Sequence, residues 1–315
     1  MRAAVVGELG QPPSPGEVPE PSAGDGEVVV EVLAAPLNPV DVAVSKGAFY
    51  GGHPALPYVP GAEVVGQVRG SGEVVWAFGA GFGLARNGGM AELAVVPEER
   101  LVPVPEGADP ALAGALGIAG LAGWLPLAVR TRVRSGETVL VLGATGTVGQ
   151  VAVQAARLLG AGRIVAAGRS EEGLARARER GADAVVPLGD TFQDDLREAA
   201  GDTELTLIFD PLWGEPLVES LEVAAPRARI VHLGQSAGPA ATLASGTVRG
   251  KELDLHGHSN FAVPMDVLRR EYDRLVRHAE AGEIRIDVER IPLDDVATAW
   301  ERQQRGEHVK LVLVP

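Results

Sequence analysis

The chain contains no cysteine, and this absence excludes disulfide bonds, thiolate metal sites and a covalent cysteine mechanism. Aromatic residues make up only 4% of the 315 residues, so a core has to rest mainly on Val, Leu, Ala and Ile. Basic residues are also few, because 28 Lys and Arg stand against 42 Asp and Glu, which gives a formal net charge of −14. We therefore expect neither nucleic acid nor a membrane as a main partner, while a local basic pocket for one phosphate stays compatible with this charge.

A cleavable signal and a membrane span are not expected either. The apolar run at the amino terminus is too short for a signal peptide. The segment from Ala111 to Val129 approaches the length of a membrane span, but Pro126 lies within it and glycines recur at every third position from Gly114 to Gly123. We therefore expect a buried helix pair at a domain junction, in a cytoplasmic protein.

The order of the predicted elements indicates an α/β fold. Short Val-rich runs separated by Gly and Pro turns fill the first third of the chain, which is typical of β-structure. From about residue 138, predicted strands and helices alternate, as in a doubly wound parallel sheet. They include a helix over Val148–Leu159 and a strand over Ile230–Leu233, and the last predicted strand is Lys310–Val314. The sequence therefore predicts a Rossmann domain over 116–250, a β-rich domain over 1–115, and a part over 251–315 that completes both the sheet edge and the β-rich domain.

Residues 138–170 carry the most informative pattern, namely a buried strand, a glycine turn, a helix and a second buried strand. Gly143, Gly146 and Gly149 form a variant of the dinucleotide-binding fingerprint. Gly146 would let the backbone approach a pyrophosphate, and Gly149 would let the helix pack close to the strand. The start of the helix would offer free N–H groups to the phosphates. The alternative is a βαβ unit whose glycines only make tight turns.

The end of the second strand indicates which cofactor is bound. An NAD site usually has Asp or Glu there for the ribose 2′-hydroxyl, whereas this chain has Gly168, Arg169 and Ser170. A guanidinium can pair with a 2′-phosphate through two hydrogen bonds, so the pattern favours NADPH; the alternative is a solvated surface arginine. The predicted cofactor-binding residues are Gly143, Thr145, Gly146, Thr147, Val148, Gly149, Gly168, Arg169, Ser170, Leu233, Gly234 and Asn260.

Further blocks of sequence flank this unit in a specific order. They read APLNPVD at 35–41, LPYVPGAE at 56–63, GGMAE at 88–92 and VKLVL at 309–313. With them the chain resembles, over nearly its whole length, the zinc-independent quinone oxidoreductases among the medium-chain dehydrogenase/reductases. The resemblance implies a discontinuous GroES-like catalytic domain around the Rossmann domain. It also implies NADPH-dependent hydride transfer to a quinone or an α,β-unsaturated carbonyl, that is, a small electrophilic substrate.

The resemblance also bears on metal binding. The zinc-dependent branch of that family has a histidine ligand in a Gly-His-Glu motif, and here the motif reads Gly61, Ala62, Glu63. His256 and His258 can face the same way on a strand, but we expect them to pack or to meet solvent. No metal site is therefore expected.

The resemblance further implies where the chemistry takes place. The loop that begins at Asn38 would lie beside the nicotinamide, with Asp41 bracing it, in a cleft between the domains. Tyr50 is a candidate proton donor or carbonyl anchor, or else it only shapes the rim of the pocket while water supplies the proton. Ala122 stands where the family often has a threonine near the nicotinamide, so the substrate can differ from a simple quinone. Tyr58 is expected to pack within the turn that Pro57 and Pro60 bracket.

The expected assembly is a homodimer, because the resembling reductases often pair the edge strands of their nucleotide-binding sheets. The segment Lys251–Ser259 is a suitable edge strand, with Leu253 and Leu255 on one face. Two other functions stay open at this point. The chain can be a reductase or dehydrogenase of a simple carbonyl or a biosynthetic intermediate, or an NADPH-binding protein without catalytic activity.

Overall fold

The computed structural model describes residues 1–315, which form two compact units. Unit 1 comprises Met1–Ala119, Pro264–Glu280 and Ile286–Pro315; unit 2 comprises Gly120–Val263 and Ala281–Arg285. The elements in chain order are β1 (Arg2–Val5), β2 (Ser14–Glu17), β3 (Glu27–Pro36), α1 (Pro39–Ser45), β4 (Glu63–Val68), β5 (Val74–Phe78), β6 (Leu93–Pro97), β7 (Leu101–Pro103), α2 (Pro110–Ala115), α3 (Leu121–Leu125), β8 (Thr138–Val141), α4 (Thr147–Leu158), β9 (Arg163–Gly168), α5 (Glu171–Glu179), β10 (Ala184–Pro187), α6 (Phe192–Ala200), β11 (Leu205–Asp210), α7 (Gly214–Val223), β12 (Ala224–His232), α8 (Ser245–Gly250), β13 (Asp254–Gly257), α9 (Met265–Glu280), β14 (Val288–Pro292), α10 (Val296–Arg305) and β15 (Lys310–Val314).

Unit 1 is built on a seven-stranded sheet with the order β14-β15-β3-β4-β5-β7, in which β6 also pairs with β3. Its inward-facing valines pack with Trp300 into one hydrophobic core, because each pleated strand presents every second side chain to the same face. Strand β15 pairs antiparallel with β3, so that Val312 lies opposite Pro36. A late strand therefore completes a sheet that begins near the start of the chain.

Three of the aromatic residues of unit 1 form one stack. The ring of Trp76 lies between those of Phe78 and Tyr272, at centroid distances of 4.6 and 4.7 Å. The Tyr272 hydroxyl donates a hydrogen bond to the carbonyl of Ala113 at 2.9 Å. All three rings are fully buried, so α9 and α2 are tied to the sheet of the same unit.

Unit 2 contains a six-stranded sheet with the order β10-β9-β8-β11-β12-β13, and every neighbouring pair is parallel. The order reverses between β8 and β11, and in doubly wound sheets ligands bind at this switch point, outside the carboxyl ends of the strands. The predicted fold class, a parallel Rossmann sheet with a separate β-rich GroES-like part, is confirmed.

The boundary of unit 2 lies later than the predicted 250, because β13 pairs with β12 in the parallel sheet and holds the chain there to Val263. Residues 39–45 form the helix α1, where the resemblance implies a loop. Pro39 occupies the first helical position, where its missing N–H has no intrahelical partner to lose. Helices α7 and α8 were not predicted, and β12 begins at Ala224 rather than at Ile230.

The apolar segment Pro110–Arg130 is long and apolar enough to cross a membrane by length and composition, but most of it is buried inside the structure. It contains α2 and α3, in agreement with the predicted helix pair. Gly117 adopts a non-helical conformation, with φ −63° and ψ −114°, and it interrupts the helical path.

Candidate active site

The glycine turn after β8 has the geometry of a phosphate cradle. Gly143 adopts a φ of +63°, which glycine reaches without steric cost. A Cβ on Gly149 would collide with the carbonyl oxygen of Gly143 and would lie 2.6 Å from the Cα of Ala144. A Cβ on Gly146 would meet only the Gly143 oxygen, at 3.7 Å. Gly149 therefore brings helix and turn together, while Gly146, immediately before α4, faces open space.

Thr145 is a packing residue in this structure. Its side chain is buried and fills the space beside Gly168 and Gly173, where a Cβ on Gly173 would lie 2.5 Å from the Thr145 Cβ. The Gln150 side chain donates a hydrogen bond to the Thr145 carbonyl at 2.9 Å. The turn is thereby fixed against the end of β9 and the start of α5.

Arg169 and Ser170 follow β9 and differ in what they contact. The Ser170 hydroxyl accepts a hydrogen bond from the Gly173 N–H at 3.1 Å and caps α5, so its oxygen serves the helix. Arg169 is exposed and forms no hydrogen bond or ion pair within the chain. No Asp or Glu occupies the end of β9. An unengaged guanidinium is therefore available there for an anionic group.

Unit 1 has a buried polar network around Asn38. The Asn38 side-chain amide donates to Glu63 Oε1 at 2.8 Å and to the Pro36 carbonyl at 3.3 Å. Its oxygen accepts from Lys310 Nζ at 2.6 Å, and the same ammonium donates to the Leu37 carbonyl at 2.8 Å. Asn38, Glu63 and Lys310 are each at most 3% exposed. Every polar atom of the Asn38 side chain is thus engaged inside unit 1.

Glu63 is held from a second direction. Its Oε2 accepts hydrogen bonds from Trp76 Nε1 at 2.8 Å and from the backbone N–H of Ile118 at 2.7 Å. The Ile118 N–H follows the non-helical Gly117, and any Cβ at that glycine would collide with the Glu63 carboxylate. Burial raises the pKa of Glu63, whereas Lys310 and the hydrogen-bond donors act in the opposite direction.

Asp41 links the start of α1 to the next segment. One of its oxygens accepts from the Asn38 backbone N–H and the other from the Ala62 backbone N–H, both at 2.8 Å. Burial raises the pKa of Asp41 to about 7. Burial lowers the pKa of Lys310, because it disfavours the charged form of the amine as it does that of the carboxyl. The contacts of Asp41 are those of a brace within unit 1.

Comparisons with known proteins place these two units in one family. The chain matches the model of an alcohol dehydrogenase GroES-like domain over residues 24–106 and that of a zinc-binding dehydrogenase over residues 147–278. The quinone oxidoreductase of Rattus norvegicus is 32% identical over 242 residues, which cover 74% of this chain and 73% of the rat protein. The chain belongs to the medium-chain dehydrogenase/reductases, on their quinone oxidoreductase-like branch. It is an NAD(P)-dependent oxidoreductase of that family.

Solved structures agree with this family membership. The chain superposes on the quinone oxidoreductase of Thermus thermophilus, which was solved with NADPH, with a TM-score of 0.83, 31% identity and full coverage of both chains. The mycobacterial protein Rv1454c, also solved with NADPH, gives a TM-score of 0.86 at 25% identity, again with full coverage of both chains. The family resemblance predicted from the sequence is confirmed.

The tyrosines of this family member lie in different environments. Tyr50 is 92% exposed, and its ring lies against Phe49 at a centroid distance of 4.4 Å. A catalytic role for Tyr50 stays a prediction. Tyr58 is buried as expected, and burial raises its pKa to about 12.

Three predicted cofactor residues lie after β12. The Leu233 N–H donates to the Asp210 carbonyl at 3.0 Å, and a Cβ on Gly234 would lie 2.6 Å from the Pro211 oxygen, so the chain must pass close to the preceding loop. Asn260 is buried, and its side-chain oxygen lies 3.0 Å from His258 Nε2. Their contacts with a cofactor, like those of Thr147 and Val148 at the start of α4, stay predictions.

The position of the zinc-ligand histidine of related enzymes is filled by Ala62, whose backbone binds Asp41. No group of three or more His, Cys, Asp or Glu side chains is arranged to hold a metal ion. His256 and His258 are not part of such a group.

Sequence reasoning missed two residues of unit 2 that the structure brings together. Asp210 ends β11 and His232 ends β12, and their side chains lie 2.9 Å apart. They are 22 residues apart in the chain, in register on adjacent parallel strands. The available signal was one polar residue directly after the apolar run Leu205–Phe209 and another within the run Ile230–Leu233.

Proposed function

We propose that this reductase-family member transfers hydride from NADPH to a quinone or to the β-carbon of an α,β-unsaturated carbonyl, without a metal. The observation that carries the cofactor choice is the unengaged Arg169 directly after β9, a strand that ends without Asp or Glu. A guanidinium forms two charge-assisted hydrogen bonds with a phosphate, whereas a carboxylate would repel it.

The residues of unit 2 fit a dinucleotide. A Cβ at Gly146 would project into open space rather than into the protein, so the glycine leaves room there for a ligand group close to the backbone. The first N–H groups of the twelve-residue helix α4 have no intrahelical partners and attract anions. When bound, the reduced cofactor supplies the hydride. The chain supplies the fixed turn, the N–H groups and Arg169.

Substrate assays test the proposed reaction. Purified protein is mixed with NADPH and, in turn, an enone, a quinone and a saturated ketone, and NADPH consumption is followed. We expect turnover with the enone or the quinone, a higher kcat/KM with NADPH than with NADH, and little turnover with the ketone. Preference for the ketone would establish a simple carbonyl reductase instead, and NADPH binding without turnover on any acceptor would establish a binding protein.

Metal analysis tests the second part of the proposal. After dialysis against a chelator, we expect no stoichiometric zinc and full activity. Activity that is lost to the chelator and restored by zinc would overturn the metal-free mechanism.

Assembly and location belong to the same proposal. Strand β13 is the edge of the six-stranded sheet, and Leu255 on it is 49% exposed. An unprotected edge of this kind invites pairing with a second copy, so we expect a homodimer. The cytoplasmic location is expected from the sequence alone. Sedimentation of wild type and of Leu255→Glu tests the dimer, and a wild-type monomer at micromolar concentration would contradict it.

A further inference from the structure

Asp210 and His232 form a pair with a fixed orientation at the carboxyl ends of β11 and β12. Asp210 is completely buried, and its Oδ2 lies 2.9 Å from His232 Nδ1. Its Oδ1 accepts from the backbone N–H groups of Leu212 and Trp213, at 2.9 and 2.8 Å. Both carboxylate oxygens are therefore held in place, and the aspartate cannot turn away from the histidine.

Trp213 holds the histidine from the side. Its backbone has φ 60° and ψ −165°, a region that is costly for any residue other than glycine and that is found mainly at functional sites. The indole ring lies against the His232 imidazole, with centroids 4.2 Å apart and a tilt of 43°. A strained tryptophan is thus retained where its ring restricts the imidazole.

The second nitrogen of His232 is unengaged. The side chain is 27% exposed, and Nδ1 alone has a partner within the chain. An aspartate at Nδ1 favours the Nδ1–H form and leaves Nε2 to exchange a proton with another molecule. A histidine oriented by a buried carboxylate, with the opposite nitrogen free, is the arrangement used for proton transfer on many folds.

The pair lies at a defined place on the sheet. A doubly wound sheet binds a dinucleotide as two halves, on either side of the point where the strand order reverses. The adenosine half belongs to β8 and β9 under the proposed function, because the glycine turn and Arg169 are there. The other half then falls at the ends of β11 and β12, where Asp210 and His232 lie.

The proposed reaction needs a proton as well as a hydride. The side chain of Asn38 is engaged at every polar atom, and Tyr50 is almost fully exposed. Neither is set up in this structure as a proton donor, whereas His232 Nε2 is.

We propose that His232 donates this proton, with Asp210 as its positioning residue; the inference rests on the proposed function. Hydride addition to the β-carbon of an enone leaves a negative charge on the enolate oxygen. The N–H bond at Nε2 of the doubly protonated imidazole breaks, its proton goes to the enolate, and the imidazole becomes neutral. Throughout this step the Nδ1–H group keeps donating its hydrogen bond to the Asp210 carboxylate. A solvent proton then restores the imidazolium, so each turnover consumes one hydride and one proton.

The first test compares His232→Gln with His278→Gln, a histidine substitution on α9 of unit 1. We expect His232→Gln to lower kcat/KM by about 10²–10⁴-fold, the range for losing a general acid, with NADPH affinity changed less than about threefold. Imidazole added to His232→Ala should restore activity in a saturable way, which a merely structural role would not allow. His278→Gln should match wild type.

A readout without catalysis is the nitrogen NMR spectrum of the histidines. Saturation with NADP⁺ should shift the His232 Nε2 resonance and leave that of His278 unchanged. Asp210→Asn should move the ring proton from Nδ1 to Nε2, because an amide N–H facing Nδ1 requires an acceptor there, and kcat should fall while NADPH affinity holds.

Two negative results are distinguishable. If wild type reduces enones or quinones and His232→Gln keeps kcat/KM within about threefold, His232 is not the donor and the proposed function stands. If wild type consumes no NADPH with any acceptor, the proposed function fails and the role of His232 fails with it.

Discussion

The polar groups around Asn38 in unit 1 and those at the glycine turn of unit 2 differ in how far their hydrogen bonds are made within the chain. In unit 1, Asn38, Asp41, Glu63 and Lys310 are buried, and the hydrogen bonds of their polar atoms are made with one another, with the Trp76 indole and with the backbone. In unit 2, Arg169 has no partner within the chain, and the turn at Gly146 faces open space. A polar group with all its hydrogen bonds made stabilises structure, whereas a group left without them is available to a ligand.

Asn38 belongs to the first of these two kinds of polar group. The family resemblance implies a position beside the nicotinamide, but its amide would have to give up a bond to Glu63, Pro36 or Lys310 to contact a ligand. An unmade hydrogen bond at a buried site costs about 1–3 kcal/mol. Direct contact between Asn38 and the substrate therefore stays a prediction, and the contacts in unit 1 are those of an internal support.

The largest effect is expected from removing the cation of the buried network. Lys310→Met leaves Glu63 and Asp41 without a nearby positive charge, and loss of one partner of a buried ionic group costs about 3–5 kcal/mol. We expect the free energy of unfolding, measured with urea, to fall by that amount. The exposed Lys46→Met is the control and should change it by less than about 0.5 kcal/mol. A loss below about 1 kcal/mol for Lys310→Met would show that the network is not a structural support.

Two glycines of the turn should separate stability from binding. Gly149→Ala forces helix and turn apart, so we expect the free energy of unfolding to fall by about 1–3 kcal/mol, as for overpacked sites. Gly146→Ala keeps an allowed φ of −81° and should leave stability unchanged. It should weaken NADPH binding about tenfold or more, because the methyl group occupies the approach to the phosphates. Wild-type NADPH affinity in Gly146→Ala would show that the phosphates bind elsewhere.

Arg169→Ala tests whether the unengaged arginine selects the cofactor. The substitution removes a charge-assisted partner of the 2′-phosphate, so we expect the binding free energy of NADPH to weaken by about 1–3 kcal/mol. The binding free energy of NADH, which has no 2′-phosphate, should stay unchanged. Isothermal titration with both cofactors measures the difference. Equal losses for NADPH and NADH would mean that Arg169 does not contact the 2′-phosphate.

The buried carboxyl of Asp41 should make stability depend on pH. Its pKa rises from 3.8 to about 7 on folding, because burial disfavours the charge. The folded state then binds more protons than the unfolded one between these values, so this contribution is full below about pH 4 and is lost as the pH rises through about 7.

We expect the stability of wild type relative to Asp41→Asn to fall across that interval, by at most about 1.4 kcal/mol per pH unit. Urea unfolding at several pH values measures it, and Asp25→Asn, an exposed position, should show no such difference. A relative stability that rises with pH would mean that Asp41 is ionised throughout.

The smallest effect is expected at Tyr50. Its side chain is almost fully exposed and rests on Phe49, so Tyr50→Phe should lower kcat/KM less than about tenfold and leave NADPH affinity unchanged. Steady-state assays with the preferred acceptor decide this. A loss of about 10²-fold or more would restore Tyr50 as a proton donor.

The sequence predicted what depends on local pattern. The unit from β8 to β9 follows from a valine run, three glycines and an amphipathic helix within one stretch of chain. The predicted helix over Val148–Leu159 is α4, displaced by one residue, and the predicted strand Lys310–Val314 is observed as such. Such elements are fixed by periodicity and turns, which a single segment contains.

The rest depended on contacts between distant segments. Lys310 lies in the block VKLVL at 309–313, which contributes to the family resemblance. Nothing in that block indicates that the Lys310 ammonium reaches the side-chain amide of Asn38, 272 residues earlier. Asp210 and His232 meet only because parallel pairing places their strand ends side by side. In the sequence Gly117 is one of several evenly spaced glycines, and only the fold shows that Glu63 occupies the space where a side chain would be.

The contact between Asn38 and Lys310 sets an order of events in biosynthesis. At about 5–20 residues per second, the 272 residues between them take roughly 15–55 s to synthesise. During that time Glu63 and Asp41 have no buried cation to neutralise them, and β3 has no β15 beside it. All the strands of unit 2 are made in the interval, so we expect unit 2 to fold while the chain is still growing. Unit 1 is then completed after residue 310 has been made, although its residues 1–119 are made before those of unit 2.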